Sequence, residues 1–129
     1  MLSFSGFQYY LALLDDYTHF VWTFSVRHKS EVAGTIMNFH VYARTQFGHP
    51  VLAFQSDNGR EFDNQALRSF YSHNGILIRL SCPYTSPQNG KAERILRTLN
   101  DGTRALLLHA GMPSKFWVKA LQASTFLLN

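Results

Sequence analysis

Short apolar blocks separated by polar turns occupy the first part of the chain. Residues 9–14 form an unbroken apolar run, which is typical of a strand covered on both faces. Residues 20–26 alternate between apolar and polar side chains, with Thr23 and Ser25 on the polar side. The polar segment 15–19 between the two runs predicts that they pair as an antiparallel hairpin.

Helical spacing replaces this pattern in the next segment. Apolar residues recur at steps of three and four over residues 31–47, which predicts a helix there. The inward positions are Val32, Ile36, Phe39, Ala43 and Phe47. We expect Ser30 to cap this helix and Gly48-His-Pro50 to end it.

Strands and helices then alternate. A short strand is predicted over residues 51–55, and a helix over residues 64–74 that ends at Gly75. Its inward side chains are Leu67, Phe70 and Tyr71. A further strand follows over residues 76–80.

Two helices complete the chain after a loop over residues 82–90 that contains two prolines. A long helix is predicted from Lys91 to just before Gly111, and Ser114 can open the last helix. The inward side chains of the long helix are Ile95, Leu96, Leu99, Leu106 and Leu107. The order β-β-α-β-α-β-α-α predicts an α/β protein with a mixed sheet and helices on both faces.

Composition limits the class of protein. The chain has 129 residues, 46% of them hydrophobic and 16% charged, which predicts one compact domain over residues 1–129. No signal peptide and no apolar run long enough for a transmembrane helix is found in the sequence. The single cysteine, Cys82, excludes an internal disulfide. The net charge of +4 favours polyanions without naming a partner.

Two carboxylates stand out by their positions. Asp57 directly follows a predicted strand, and Glu93 lies in the first turn of the long helix, with 35 residues between them. Phosphoryl transfer requires carboxylates from different elements that converge on divalent cations. Taken singly, Asp57 can be a turn residue. Glu93 can stabilise the helix through its favourable position near the positive end of the helix dipole, or it can pair with Arg97.

Two segments around these carboxylates resemble the integrase catalytic core of copia-type LTR retrotransposons. They are Gln55–Phe62 (QSDNGREF) and Pro83–Arg94 (PYTSPQNGKAER). Flanking segments agree with the resemblance, namely residues 9–22, 28–30, 116–117 and 127–129. The resemblance implies an RNase H-like fold and an Asp-Asp-Glu polynucleotidyl transferase site that binds two Mg²⁺ or Mn²⁺ ions. Asp57 matches the second carboxylate and Glu93 the third.

The first carboxylate of the family has no counterpart in this resemblance. In the family it lies on an opening strand between the strands that match residues 9–14 and 51–55. Because this strand would precede the segment matching residues 5–10, we expect a truncated core that is inactive alone. Asp15 and Asp16 match the hairpin turn and are not expected to bind metal.

The resemblance also implies contacts with DNA, both the retroelement ends and the target. The candidate residues are Tyr84, Gln88 and Asn89 in the loop, and Lys91, Arg94, Arg97 and Arg104 on one side of the long helix. Such basic side chains bind phosphates in a salt-dependent way, although the same pattern also suits a solvated helix face. The resemblance further implies integration chemistry, self-association and a nuclear location. The alternative is a non-catalytic remnant that binds nucleic acid or intact integrase subunits.

Overall fold

The first two strands form the predicted hairpin. The computed structural model of the chain describes residues 6–56, 59–80 and 90–129. Strand β1 (Tyr9–Leu14) pairs antiparallel with β2 (Val21–Val26), which confirms the prediction made from the two apolar runs.

A hydrogen-bonded turn joins β1 to β2. The Asp15 carboxylate accepts hydrogen bonds from the backbone N–H and the hydroxyl of Thr18, and the Asp15 N–H donates to the carbonyl of Phe20. His19 has a φ of 62°, a left-handed conformation that histidine adopts more readily than most residues.

A second pair of strands is parallel. Strand β3 (Ala53–Ser56) pairs with β4 (Leu77–Leu80). Within the described residues, β1 and β3 each pair with one neighbour, so the strands form an antiparallel pair and a parallel pair. The α/β class is as predicted, and within the described residues no strand bonds to both β1 and β3.

Helix α1 (Val32–Phe47) buries four of its five predicted inward residues. The fifth, Phe47, is 53% exposed, because the helix ends directly after it at Gly48, whose left-handed backbone caps the last turn. The prediction that Ser30 caps this helix is also wrong. Ser30 lies inside a 3₁₀ turn that precedes α1, and Glu31 takes the N-cap position without a side-chain hydrogen bond.

Helix α2 (Gln65–Asn74) follows the predicted pattern. The side chain of Asn64 accepts a hydrogen bond from the Leu67 N–H at 3.0 Å and so caps the helix. Leu67 and Tyr71 are buried, and Gly75 ends the helix in the left-handed conformation.

The long helix α3 (Gly90–Ala110) and the last helix α4 (Trp117–Leu128) pack with the hairpin. The buried cluster consists of Val21, Leu99 and Leu121. Four of the predicted inward residues of α3 are buried or half-buried. Leu96 is 39% exposed, so the prediction that it points inward is wrong. Leu96 is turned about 60° around the helix from the buried Leu99 and lies at the edge of the packed face.

The chain divides into two compact units. One combines residues 1–28 with residues 91–129, and contains the hairpin, α3 and α4. The other is residues 29–90, and contains α1, α2 and the parallel strand pair. Across the described part of the chain, every helix is too short or too polar to cross a membrane.

Candidate catalytic and nucleic-acid site

The carboxylate of Glu93 lies where the sequence predicted it, in the first turn of α3. At about 100° per residue, Glu93 is turned roughly 120° away from the buried Leu99 and only about 40° from Arg97. The Glu93 side chain is exposed. Among the described residues no ion pair joins Glu93 to Arg97, so the Glu93 carboxylate is available to a ligand.

The second catalytic candidate is the residue that follows strand β3 in the sequence. Asp57 lies outside the described residues, but β3 ends at Ser56, the residue directly before it. The carboxyl ends of parallel strands are where open α/β sheets bind ligands. The role of Asp57 remains a prediction.

The segment after Asp57 is held by Asn64, a side chain to which the sequence analysis gave no role. The Nδ2 atom of Asn64 donates to the Arg60 carbonyl at 2.9 Å, while its Oδ1 caps α2. The N–H groups of Phe62 and Asp63 both donate to the Gly59 carbonyl. One asparagine therefore fixes the turn that follows Asp57 to the start of α2.

The loop candidates Tyr84, Gln88 and Asn89 also lie outside the described residues. Helix α3 begins at Gly90, directly after Asn89. The proposed DNA contacts of these three residues stay predictions.

The basic side chains of α3 fall into two groups. Arg94, Arg97 and Arg104 are exposed, and none of the ion pairs within the described ranges involves them. Lys91 instead pairs with Asp16, with 3.1 Å between Nζ and Oδ1. Lys91 is turned about 120° from Arg97 around the helix, toward the hairpin.

Both aspartates of the hairpin turn have structural partners. Two hydrogen bonds from Thr18 lower the pKa of the Asp15 carboxyl below its ordinary value, and Asp16 pairs with Lys91. No group of three or more potential metal ligands occurs among the described residues, which do not include Asp57. Asp15 is thus bonded within the turn, and Asp16 is bonded to α3.

A contact that the sequence analysis missed fixes α3 against β1. The Tyr10 hydroxyl donates to Asn100 Oδ1 at 2.6 Å, and the Tyr10 ring lies 6.3 Å from the Trp117 ring. Burial raises the pKa of the Tyr10 phenol. No sequence pattern marks this bond, because its partners are 90 residues apart.

Comparison with known proteins places these features in a family. The profile of the family described as Integrase core domain matches residues 2–86. The chain is 30% identical over 127 residues to the retrovirus-related Pol polyprotein from transposon TNT 1-94 of Nicotiana tabacum, covering 98% of this chain and 10% of the relative. It is 33% identical over 129 residues to the polyprotein from transposon RE1 of Arabidopsis thaliana, covering 100% of this chain and 9% of the relative. The chain thus spans about a tenth of the length of these curated relatives.

Solved structures show the same fold. A chain of the simian T-cell lymphotropic virus intasome in complex with PP2A regulatory subunit B56 gamma aligns with a TM-score of 0.72 at 18% identity, over 93% of this chain and 41% of that chain. The HTLV-2 integrase catalytic core in complex with magnesium, a trimeric form, aligns with a TM-score of 0.65 at 21% identity, over 92% and 71%. The BIV integrase catalytic core gives 0.66 at 20% identity, over 93% and 74%. The predicted RNase H-like α/β fold is confirmed.

Proposed function

Because the chain belongs to the integrase core domain family, we propose that it acts in DNA integration as part of a longer retrotransposon Pol polyprotein. The observation that carries the proposal is the similarity to such polyproteins along the whole chain, which runs through the segments of both Asp57 and Glu93. The proposed reactions are trimming of the 3′ ends of the element and transfer of those ends into target DNA.

Two carboxylates of this chain suit a divalent metal site. Asp57 and Glu93 would supply oxygen ligands, which Mg²⁺ and Mn²⁺ prefer, and the exposed Glu93 makes no ion pair with another described residue. When bound, two such ions would neutralise the charge that develops on the phosphodiester oxygens. Asp57 would hold its ion from the end of a strand and Glu93 from the first turn of α3.

The family site requires a third carboxylate. Asp15 and Asp16 are poor candidates, since the Asp15 carboxylate is hydrogen-bonded to Thr18 and Asp16 forms an ion pair with Lys91. We therefore expect the 129-residue chain alone to show no metal-dependent cleavage or strand transfer.

Phosphate contacts are proposed for the exposed side of α3. Arg94 and Arg97 lie one and four residues after Glu93 and make no ion pair among the described residues. Arginine there would bind the backbone of DNA without reading its sequence. Lys91 and the loop residues Tyr84, Gln88 and Asn89 complete the proposed surface.

A chimera tests the catalytic proposal directly. Residues 8–129 of this chain would replace the aligned segment in the integrase of the TNT 1-94 transposon, which supplies the remainder of the protein. The chimera is expected to cleave labelled DNA carrying the ends of that transposon with Mg²⁺ or Mn²⁺. Asp57→Asn and Glu93→Gln should each abolish cleavage, whereas Asp101→Asn, an exposed acid on the same helix, should not. Cleavage that survives Asp57→Asn or Glu93→Gln would refute the assignment.

The exposed arginines of α3 favour one further candidate, a non-catalytic nucleic-acid-binding or integrase-associating module. In that case the chain alone binds duplex DNA or an intact integrase, and the chimera does not cleave. A nuclear location follows from the integration proposal, because the target DNA is chromosomal. Self-association is proposed from the likeness to an integrase core that is a trimeric form. Size-exclusion chromatography with light scattering tests self-association.

A further inference from the structure

The ammonium group of Lys91 is held by the turn between β1 and β2. Its Nζ lies 3.1 Å from Asp16 Oδ1 and 3.4 Å from His19 Nε2. Because an ammonium can only donate hydrogen bonds, Nε2 of His19 is the acceptor in this arrangement. Lys91 is thus bound by one carboxylate and one imidazole of the same turn.

The turn is built to keep these two acceptors in place. Asp15 receives both polar hydrogens of Thr18, and its carbonyl accepts the His19 N–H at 2.8 Å. The left-handed backbone at His19 fixes the direction in which the imidazole leaves the turn. The contact joins residues 75 positions apart in the sequence.

An aspartate carboxylate and a DNA phosphate offer the same chemistry to a lysine. Both are anionic oxygen groups that accept hydrogen bonds from an ammonium. Lys91 lies two residues before Glu93, at the end of α3 where DNA would have to lie. Arg94 and Arg97 have no such competitor among the described residues.

We propose that Asp16 competes with DNA phosphate for Lys91, so that the β1–β2 turn limits how tightly DNA is held beside Glu93. This inference rests on the proposed binding of DNA. DNA must displace the carboxylate before Lys91 can contribute, and the displaced Asp16 then repels the phosphates.

Exposure determines the size of the effect. The side chains of Asp16 and Lys91 are 94% and 48% exposed, and exposed ion pairs are weak. We expect removal of the carboxylate to tighten DNA binding by about two- to fivefold at low salt. The gain should disappear at high salt, where surface charges are screened.

The test is a double-mutant cycle read by fluorescence anisotropy on a labelled DNA duplex of mixed sequence. Asp16→Asn should tighten binding in the wild-type chain and have no comparable effect in the Lys91→Met background. Asp101→Asn is the matched control, because it removes the same charge from α3 without touching an ion pair of the described residues. It should change the affinity equally in both backgrounds. Thermal melting of each variant checks that the fold is kept.

The outcomes separate this inference from the proposal on which it rests. If the wild-type chain fails to bind DNA at low salt, both fall. If it binds, and Asp16→Asn has the same effect with and without Lys91, only general charge repulsion is at work and the inference fails. Weaker binding by Asp16→Asn would likewise overturn competition, since Asp16 would then position Lys91 for DNA.

Discussion

The side-chain amide of Asn129 bonds both backbone polar groups of Val21. Its Oδ1 accepts the Val21 N–H at 3.0 Å and its Nδ2 donates to the Val21 carbonyl at 2.8 Å. Val21 is only 1% exposed whereas Asn129 is exposed, so the Asn129 side chain covers two backbone groups at the edge of the buried region. The bond joins the end of α4 to the start of β2 across 108 residues.

Asn129→Ala is expected to destabilise the unit that contains β2. Backbone groups left unsatisfied in a buried position cost about 1–3 kcal/mol, and the free energy of unfolding measured with urea should fall by that amount. Asn38→Ala, at an exposed position of α1, is the control and should not lower the midpoint, because alanine is the better helix former. Equal midpoints for the two variants would show that the Asn129 bonds contribute nothing.

Gly102→Ala tests the crossing of α3 and α4. A Cβ atom at Gly102 would overlap the Oγ of Ser124, a buried side chain. We expect a loss of about 1–3 kcal/mol in the free energy of unfolding, despite the better helix propensity of alanine. The second variant Gly102→Ala/Ser124→Ala should recover much of the loss.

Gly34→Ala is the matched control for this prediction. Gly34 lies in α1, and a Cβ there would meet no atom within 4 Å. Because alanine is the better helix former, this variant should gain up to about 1 kcal/mol. A loss of stability at Gly34 equal to that at Gly102 would contradict the packing explanation.

The buried His40 should make stability fall at acidic pH. His40 is 3% exposed, and its ring packs edge-on against Phe70. This burial lowers the pKa of the imidazole, and the Arg44 cation lowers that pKa further. Its Nδ1 has no hydrogen-bond partner among the described residues. Above the ordinary histidine pKa of 6.5, the ring is neutral in the folded and the unfolded chain, so His40 does not reduce the free energy of unfolding there. As the pH falls below that value, the unfolded chain takes up the proton more readily, and unfolding is favoured.

Urea midpoints at about pH 7.5 and about pH 5 measure this dependence. His40→Leu should reduce the difference between the two midpoints, since leucine fills the site without a titrating group. His49→Gln removes an exposed histidine and should leave the difference unchanged. An unaltered difference in His40→Leu would assign the pH dependence to other groups.

Arg94 and Arg97 should each account for about one phosphate contact. Arg94→Ala or Arg97→Ala is expected to reduce the slope of the logarithm of DNA affinity against the logarithm of salt concentration by about one. Lys119→Ala removes the same charge from α4, where the side chain is also exposed, and should leave the slope unchanged. A similar change for all three variants would mean that net charge alone drives binding.

Local patterns were sufficient to predict most elements of this fold. The hairpin follows from two apolar runs around a polar turn, and α2 from the spacing of its apolar residues and the glycine that ends it. Phe47 and Leu96 were wrongly predicted to point inward. Helical periodicity identifies the apolar face of a helix, but it does not show how much of that face other elements cover. Ser30 was misplaced because a 3₁₀ turn precedes α1.

The candidate site divides in the same way. The position of Glu93 in the first turn of α3 could be predicted from the preceding Pro/Gly loop and the apolar spacing after it. The pairing of Lys91 with Asp16 could not, because it depends on where tertiary packing places a turn 75 residues away. The metal-binding role of Asp57 and the DNA contacts of the loop residues Tyr84, Gln88 and Asn89 remain predictions.

The buried cluster of Val21, Leu99 and Leu121 has a consequence for synthesis on the ribosome. Translation adds about 5–20 residues each second, so Val21 leaves the exit tunnel roughly 5–20 s before Leu121 does. Until α3 and α4 emerge, the nascent hairpin lacks the helices that cover it, whereas residues 29–90 emerge as one continuous stretch before Leu121 does. Residues 29–90 can therefore fold first. The apolar face of the hairpin stays uncovered until α3 and α4 have been made, and during that time chaperones and other nascent chains can bind it.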